Sequence, residues 1–279
     1  MFYVYLVISA ALIPILDNFF EILRHSYSWW LVPLLFAGFF LGLVIIHILF
    51  TVAWILTIRT DRPVKKRPAF RKWINLTVPL LMKLVRVSVN ASGTEKVPED
   101  GRFLFVCNHQ HDLDPVMMLS VFPDYDIGFI GKKEIYKTMP IISKAMHGLC
   151  GLPIDRENNR EAAKTVIEAV HILKEGKASI GLFPEGYTSK SCELLPLRNG
   201  SLKIATKAKA PIVVCVLNNT RSIQKRMFLR HTEIEFRVLS VITPEEYEGM
   251  NTNELGDIIH SQVKTAIDEI RNNKQGAIL

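Results

Sequence analysis

Between Trp29 and Ile58 the chain has no Asp, Glu, Lys or Arg. Such a run is excluded from an ordinary solvated helix. As a helix it would be about 45 Å long, against a hydrocarbon core of about 30 Å, so it can span a bilayer with tilt. Cysteine is scarce: Cys107, Cys150, Cys192 and Cys215, with no pair at metal-ligand spacing. A cytosolic domain would keep these thiols reduced, and three of them lie in or beside apolar runs where they read as packing residues. No Lys or Arg precedes the first apolar run, residues 2–16, and no clear small-x-small site follows it, which argues against a secretory signal. Internal repeats, low-complexity tracts and recognisable nucleic-acid modules are absent too.

What is present begins with hydrophobicity, 49% of 279 residues, concentrated at the front. Trp29 and Trp30 stand at the start of the long run, where interfacial aromatics are expected. Together with residues 2–16, the run predicts either a two-helix hairpin or one span plus an interfacial helix. Residues 59–72 hold seven bases and one acid, Asp61. By the positive-inside rule this segment, and the domain after it, is expected on the cytoplasmic side of a membrane. The formal net charge of +7 therefore reads as attraction to anionic headgroups, not nucleic acid. His47 sits inside the long run with no visible partner, and is expected to be neutral and unremarkable.

Residues 69–87 show a helical stripe of Phe70, Trp73, Ile74, Val78, Leu81, Leu84 and Val85, with Lys72, Asn75, Lys83 and Arg86 favouring another face. The pattern suits an interfacial helix or one covering a domain core, and Pro79 is expected to kink or interrupt it. The expected organisation is membrane-anchoring helices over 1–58, a basic linker and amphipathic helix over 59–90, and a catalytic domain over 91–279.

Within that domain, strand-like runs alternate with helical patterns. The expected strands are Phe103–Cys107, Ile127–Ile130, Gly151–Ile154, Ser179–Phe183, Ile212–Leu217 and Glu233–Leu239. The expected helices are Pro115–Val121, Glu134–His147, Arg160–Lys174, Gly200–Lys209 and Asn253–Asn272. This alternation predicts an α/β domain with a mostly parallel sheet flanked by helices, and catalytic groups near strand C-terminal ends.

The most informative segment is Asn108-His109-Gln110-His111-Asp112-Leu113-Asp114. A histidine and a carboxylate this close, just after an apolar strand, can act as one unit. The imidazole takes a proton from a hydroxyl while the carboxylate fixes its tautomer and steadies the charge that appears. A plainer reading also stands, because Asp114 before Pro115 is what a helix N-terminus wants.

Four ordered blocks resemble the glycerolipid acyltransferases, specifically the lysophosphatidic acid acyltransferase family. Asn108, His109 and Asp114 match its N-H-x-S-x-x-D signature, with His111 at the serine position. Ile154-Asp155-Arg156 matches an I-D-R block. Phe183-Pro184-Glu185-Gly186 matches the start of F-P-E-G-T-R-S, then diverges to Tyr187-Thr188 before Ser189. Pro211-Ile212-Val213-Val214 matches an apolar strand after a proline, with Cys215 where a second proline is usual. The resemblance covers roughly residues 92 to 240.

It implies acyl transfer from a thioester to a glycerol hydroxyl in phospholipid synthesis, with His109 as general base, Asp114 orienting it, and no acyl-enzyme. The implied donors are acyl-CoA or acyl carrier protein, with no other cofactor and no metal. The implied acceptor is lysophosphatidic acid. Arg156 is the first candidate for its phosphate, since a guanidinium can hold phosphate oxygens in a fork. Lys133, beside Lys132, is a further candidate. Asn108, Glu185 and Gly186 belong to the matched blocks on the substrate side. Gly186 would allow a tight turn, and Tyr187 and Thr188 offer hydroxyls where the family carries arginine. That departure leaves another lysolipid acceptor open. A zinc hydrolase would need H-x-H-x-D-H where this chain has H-x-H-D-x-D. A non-catalytic membrane lipid-binding protein of the same fold is the remaining alternative.

Overall fold

The computed structural model describes residues 1–20, 30–99, 101–187 and 193–276. The chain divides into two compact units, residues 1–59 and 60–279.

The first unit is a pair of packed helices, α1 (Phe2–Phe20) and α2 (Leu31–Leu56). Of the described helices, α2 alone is long and apolar enough to cross a membrane; α1 runs through Pro14 and is a shorter apolar helix. The expectation for His47 is corrected here. Its Nδ1 lies 2.7 Å from the Tyr5 hydroxyl, a partner supplied by the other helix and invisible along one helical face. A buried polar group needs such a partner. Trp29 lies outside the described residues.

The second unit opens with α3 (Pro68–Leu84), followed by β1 (Val87–Ser92), β2 (Leu104–Cys107) and α4 (Asp114–Val121). Then come β3 (Ile127–Lys132), α5 (Lys133–Thr138), α6 (Pro140–Gly148), β4 (Leu152–Ile154) and α7 (Asn159–Lys174). The chain continues through β5 (Ser179–Leu182), α8 (Lys203–Ala208), β6 (Ile212–Asn218), α9 (Ser222–Arg226), β7 (Thr232–Ile242) and α10 (Thr252–Gly276).

The seven strands form one sheet in the order β1-β7-β6-β2-β5-β3-β4. Every pairing is parallel except that of β6 with β7. The α/β reading therefore holds. β2 and β5 are fully buried along their length, as strands covered by helices on both faces must be. α7 starts where Asn158 accepts from the Arg160 and Glu161 N–H groups, 3.0 and 3.2 Å away. It buries Ala169, Val170, Ile172 and Leu173.

Three local expectations change. The single helix over Glu134–His147 is two, because Met139 precedes Pro140 and leaves helical geometry, and Pro140 then starts the next helix. The helix over Gly200–Lys209 begins as a 3-10 turn, Asn199–Leu202, before α8. β1 is an additional strand at the sheet edge.

α3 continues through Pro79 and buries Phe70, Ile74, Val78, Leu80 and Met82. Its apolar stripe covers its own domain, leaving Leu76 and Leu81 outward. Arg71 fastens it, with Nη2 donating to the Phe122 and Tyr125 carbonyls at 2.9 and 2.5 Å.

Candidate active site

The C-terminal ends of β2 and β5 lie side by side, so the segments that follow them must meet. After β2, Asn108 stays with the sheet. Its Oδ1 accepts from the Leu217 N–H at 2.7 Å, and its Nδ2 donates to the Leu217 carbonyl at 2.9 Å. The side chain imitates one more strand pairing between β2 and β6 and is buried.

The chain then turns back, and one carboxylate holds the turn. Asp114 is fully buried, and its Oδ2 accepts from the Gln110 N–H at 2.7 Å and the His111 N–H at 2.9 Å. The same oxygen lies 2.9 Å from His109 Nδ1. Asp114 thus gathers the loop behind it and does not cap α4 ahead of it. With Oδ2 accepting at Nδ1, the ring proton resides on Nδ1 and Nε2 keeps its lone pair. His111, at the divergent serine position, accepts the Leu113 N–H on its own Nδ1 at 3.2 Å and so also shapes the turn.

The ring of His109 is held from a second direction by Phe183, stacked at 4.5 Å between centroids, with Phe129 stacked beyond it. Glu185 is buried behind them. Its Oε1 accepts the His109 N–H at 2.6 Å and its Oε2 accepts the Leu195 N–H at 2.9 Å. Both oxygens are engaged, so Glu185 ties the two loops together from below. Burial pushes its carboxyl above the ordinary range, and the two backbone donors partly offset that.

Cationic groups gather beside this pair. Gly186 has φ of +78°, which favours glycine at the turn, and a Cβ there would lie 3.1 Å from Arg198 Nε, so a side chain would also press on Arg198. The Tyr187 ring is within reach of two guanidiniums, Arg156 at 5.6 Å and Arg198 at 5.5 Å from its centroid. Arg198 also donates to the Arg156 carbonyl at 3.2 Å. Among the described residues neither guanidinium has a carboxylate partner. Asp155 pairs with Lys133 at 2.7 Å instead, which raises the Lys133 ammonium and lowers the Asp155 carboxyl. Burial, then the nearby Arg198 charge, lowers Arg156. Two like charges held near each other, with no carboxylate in ion-pair contact among the described residues, favour an incoming anion.

A cavity of about 550 Å³ opens at these arginines. Its walls include Ile154, Ala163, Val166 and Phe183, and Lys203 and Lys207 stand on its rim. The volume falls in the range of small-molecule sites.

The structure thus brings His109, Asp114, Glu185, Gly186, Tyr187 and Arg156 into one neighbourhood. It places Lys133 in an ion pair and Asn108 in the sheet. Thr188 lies outside the described residues. Sequence reading missed Arg198, whose only signal was a basic residue ahead of Asn199-Gly200 and a helical run. No group of three or more His, Cys, Asp or Glu able to hold a metal occurs among the described residues. Cys107, Cys150 and Cys215 are free and buried, and burial raises all three thiols, Cys150 to about 11.

A carboxylate-steadied histidine thus stands at the C-terminal end of a mostly parallel α/β sheet, beside a cationic cleft, an arrangement suited to general-base chemistry. Residues 88–218 match the Acyltransferase family. A 1-acyl-sn-glycerol-3-phosphate acyltransferase of Borreliella burgdorferi is 24% identical over 199 residues, covering 70% of this chain and 77% of that protein. The Bacillus subtilis protein of the same name is 32% identical over 132 residues, covering 46% and 62%. The crystal structure of the 1-acyl-sn-glycerophosphate acyltransferase PlsC from Thermotoga maritima shares the fold. It has a TM-score of 0.60 at 22% identity, over 80% of this chain and 87% of that one. Residues 88–218 are thus the part of the chain similar to the Acyltransferase family, and the chain is an acyltransferase.

Proposed function

We propose that this protein is membrane-bound and transfers a fatty acyl group from an acyl thioester to the free hydroxyl of lysophosphatidic acid, forming phosphatidic acid. The observation that carries the reading is the juxtaposition of the His109–Asp114 pair with the Arg156–Arg198 clamp. His109 Nε2 takes the acceptor's hydroxyl proton as its oxygen bonds to the thioester carbonyl carbon. The tetrahedral intermediate then breaks its C–S bond. The departing thiolate takes the proton from the imidazolium, so histidine returns to its starting state and no acyl-enzyme forms. General base catalysis supplies about 10²–10⁴-fold, and positioning of two bound substrates supplies much of the rest.

Arg156 and Arg198 hold the acceptor's phosphate, Arg198 taking over the charge that the family places at the position of Thr188. The apolar walls of the adjoining cavity suit a hydrocarbon chain next to that phosphate. The donor is acyl-CoA or acyl-ACP, both phosphopantetheine thioesters, and neither needs a further cofactor or metal. The long apolar helix α2, followed by a basic segment, supports attachment to a membrane with the domain on its cytoplasmic side.

The test is donor-dependent thiol release by the full chain in lipid nanodiscs, with lysophosphatidic acid, a lysophospholipid of larger headgroup, or no acceptor. Release that requires lysophosphatidic acid and disappears in His109→Ala is the expected result. Release only with the larger acceptor would move the substrate and keep the mechanism. Release that persists in His109→Ala would sink the base assignment.

A further inference from the structure

Leu229 is the most exposed large hydrophobic side chain among the described residues, at 81%, and its neighbour Phe228 is 61% exposed. Both sit at the tip of the connection from β6 to β7. The tip is built, not loose. Ile223 is fully buried and anchors α9. The Met227 N–H donates to the Ile223 carbonyl at 2.8 Å, and the Leu229 and Arg230 N–H groups donate to the Arg226 carbonyl at 3.0 and 2.9 Å. At its base, His231 Nε2 lies 2.9 Å from Ser88 Oγ, and the Thr232 N–H donates to the Arg86 carbonyl at 2.9 Å. Phe228 has φ of +67°, a conformation rarely adopted by residues with a side chain. A defined backbone therefore holds an aromatic ring and a leucine in water, with no burial in return.

The tip itself is basic, and the first acid after it, the exposed Glu233, stands at its base. From Ile212 to Thr232 the chain contains no acid. Lys225, Arg226 and Arg230 are exposed, and Lys83 and Arg86 are exposed where α3 meets β1, next to the tip through the Thr232–Arg86 bond. Protein interfaces deplete lysine at their centres, whereas an apolar point inside a basic collar suits an anionic bilayer surface.

The position matters as well. β6 is parallel to β2, and β7 is antiparallel to β6, so the tip lies at the same end of the sheet as His109. Two strand spacings separate β7 from β2, roughly 10 Å.

We propose that Phe228 and Leu229 insert into the headgroup–acyl boundary of a bilayer containing anionic lipid, while Lys225, Arg226 and Arg230 contact its phosphates. This second attachment holds the catalytic end of the domain at the surface from which an acceptor lipid is drawn. That purpose rests on the lipid acceptor proposed above; the docking geometry does not.

The experiment uses the full chain in liposomes, in a Cys192→Ser background, with an environment-sensitive fluorophore on Leu229→Cys. A second preparation carries it on Glu175→Cys, in the exposed turn before β5 at the opposite end of the sheet. In phosphatidylcholine vesicles with phosphatidylglycerol, the Leu229 label should shift to the blue and be quenched by bilayer nitroxides. The effect should weaken in phosphatidylcholine alone, and the Glu175 label should stay aqueous. A Phe228→Ser/Leu229→Ser variant should lose roughly tenfold in kcat/KM on a bilayer-borne acceptor. It should keep its rate on a short-chain acceptor dissolved in water.

An aqueous Leu229 label in every lipid mixture would overturn the proposal and leave a protein partner as occupant. Shielding that follows protein density instead of lipid charge would overturn it in favour of a second copy of the chain. If no acceptor is acylated, the acyl-transfer reading fails on its own, and the fluorescence still decides the docking.

Discussion

One oxygen of Asp114 joins His109 to its own loop: Oδ2 lies 2.9 Å from His109 Nδ1 while accepting the Gln110 and His111 N–H groups. The imidazole is oriented by an atom that the backbone already fixes, so little reorganisation is needed when the ring becomes charged. Asp114→Asn should keep the turn partly formed but remove the charge and favour the wrong tautomer. The expected loss in kcat is about a thousandfold, with KM for the acceptor nearly unchanged. Steady-state kinetics with a thermal-unfolding control separates this from loss of fold.

Asn108→Ala should act on stability first. It leaves the N–H and carbonyl of buried Leu217 without their side-chain partners. Unsatisfied buried groups of this kind cost about 1–3 kcal/mol each. The melting temperature should fall, and the remaining folded enzyme should retain acceptor affinity. Unchanged stability with a raised KM would instead place Asn108 at the substrate.

Arg156→Ala and Arg198→Ala should each raise the acceptor KM, by about ten- to a hundredfold, through loss of a charge-assisted bond to phosphate. Lysine at either position should rescue only partly, since it lacks the planar fork. Because both guanidiniums are within reach of the Tyr187 ring, the double variant should depart from additivity. An acceptor without phosphate should show none of these differences.

Gly186→Ala should weaken the same clamp without replacing a charged group. Its φ of +78° penalises any side chain, and the new Cβ would crowd Arg198 Nε. The penalty is about 1–2 kcal/mol in the left-handed region. Acceptor KM should rise alongside a modest loss in thermal stability, and restored KM in a Gly186→Asn variant, which tolerates that region better, would separate backbone strain from crowding.

Burial raises the Glu185 carboxyl above its ordinary value. A folded-state value above the unfolded one means that ionisation is less favourable in the native protein. Stability from this group is full below the ordinary carboxylate range and declines as pH rises through the folded value. Relative to Glu185→Gln, the wild type should therefore lose stability as pH climbs through that acidic window, then level off. Melting temperatures of both proteins across that window test the sign; a parallel pair of curves would contradict it.

Much of this was legible from residue order. The alternation of apolar runs and helical patterns specified the α/β class because strand and helix periods differ. Asn108 to Asp114 specified a His/carboxylate pair because five positions can close within one turn. β1 was legible too, since Val87, Val89 and Ala91 alternate with Ser88, Asn90 and Ser92, but the neighbouring helical stripe drew the boundary past it. Pro140 carried the split between α5 and α6.

Other features depended on partners far apart in the chain. Tyr5 reaches His47 across a helix pair, and Leu217 claims Asn108 across a sheet. Glu185 reads as a substrate ligand by block, yet its oxygens meet the His109 and Leu195 N–H groups. Arg198 meets Arg156 across a separation of 42 residues, a contact only the fold can make. Hydrophobic period and short-range pairing are local, so the sequence alone determined the fold class and the His109–Asp114 pair. Which polar group satisfies which is settled when distant strands and loops are buried together, so the tertiary structure decided which residues line the cleft and which hold the site in shape.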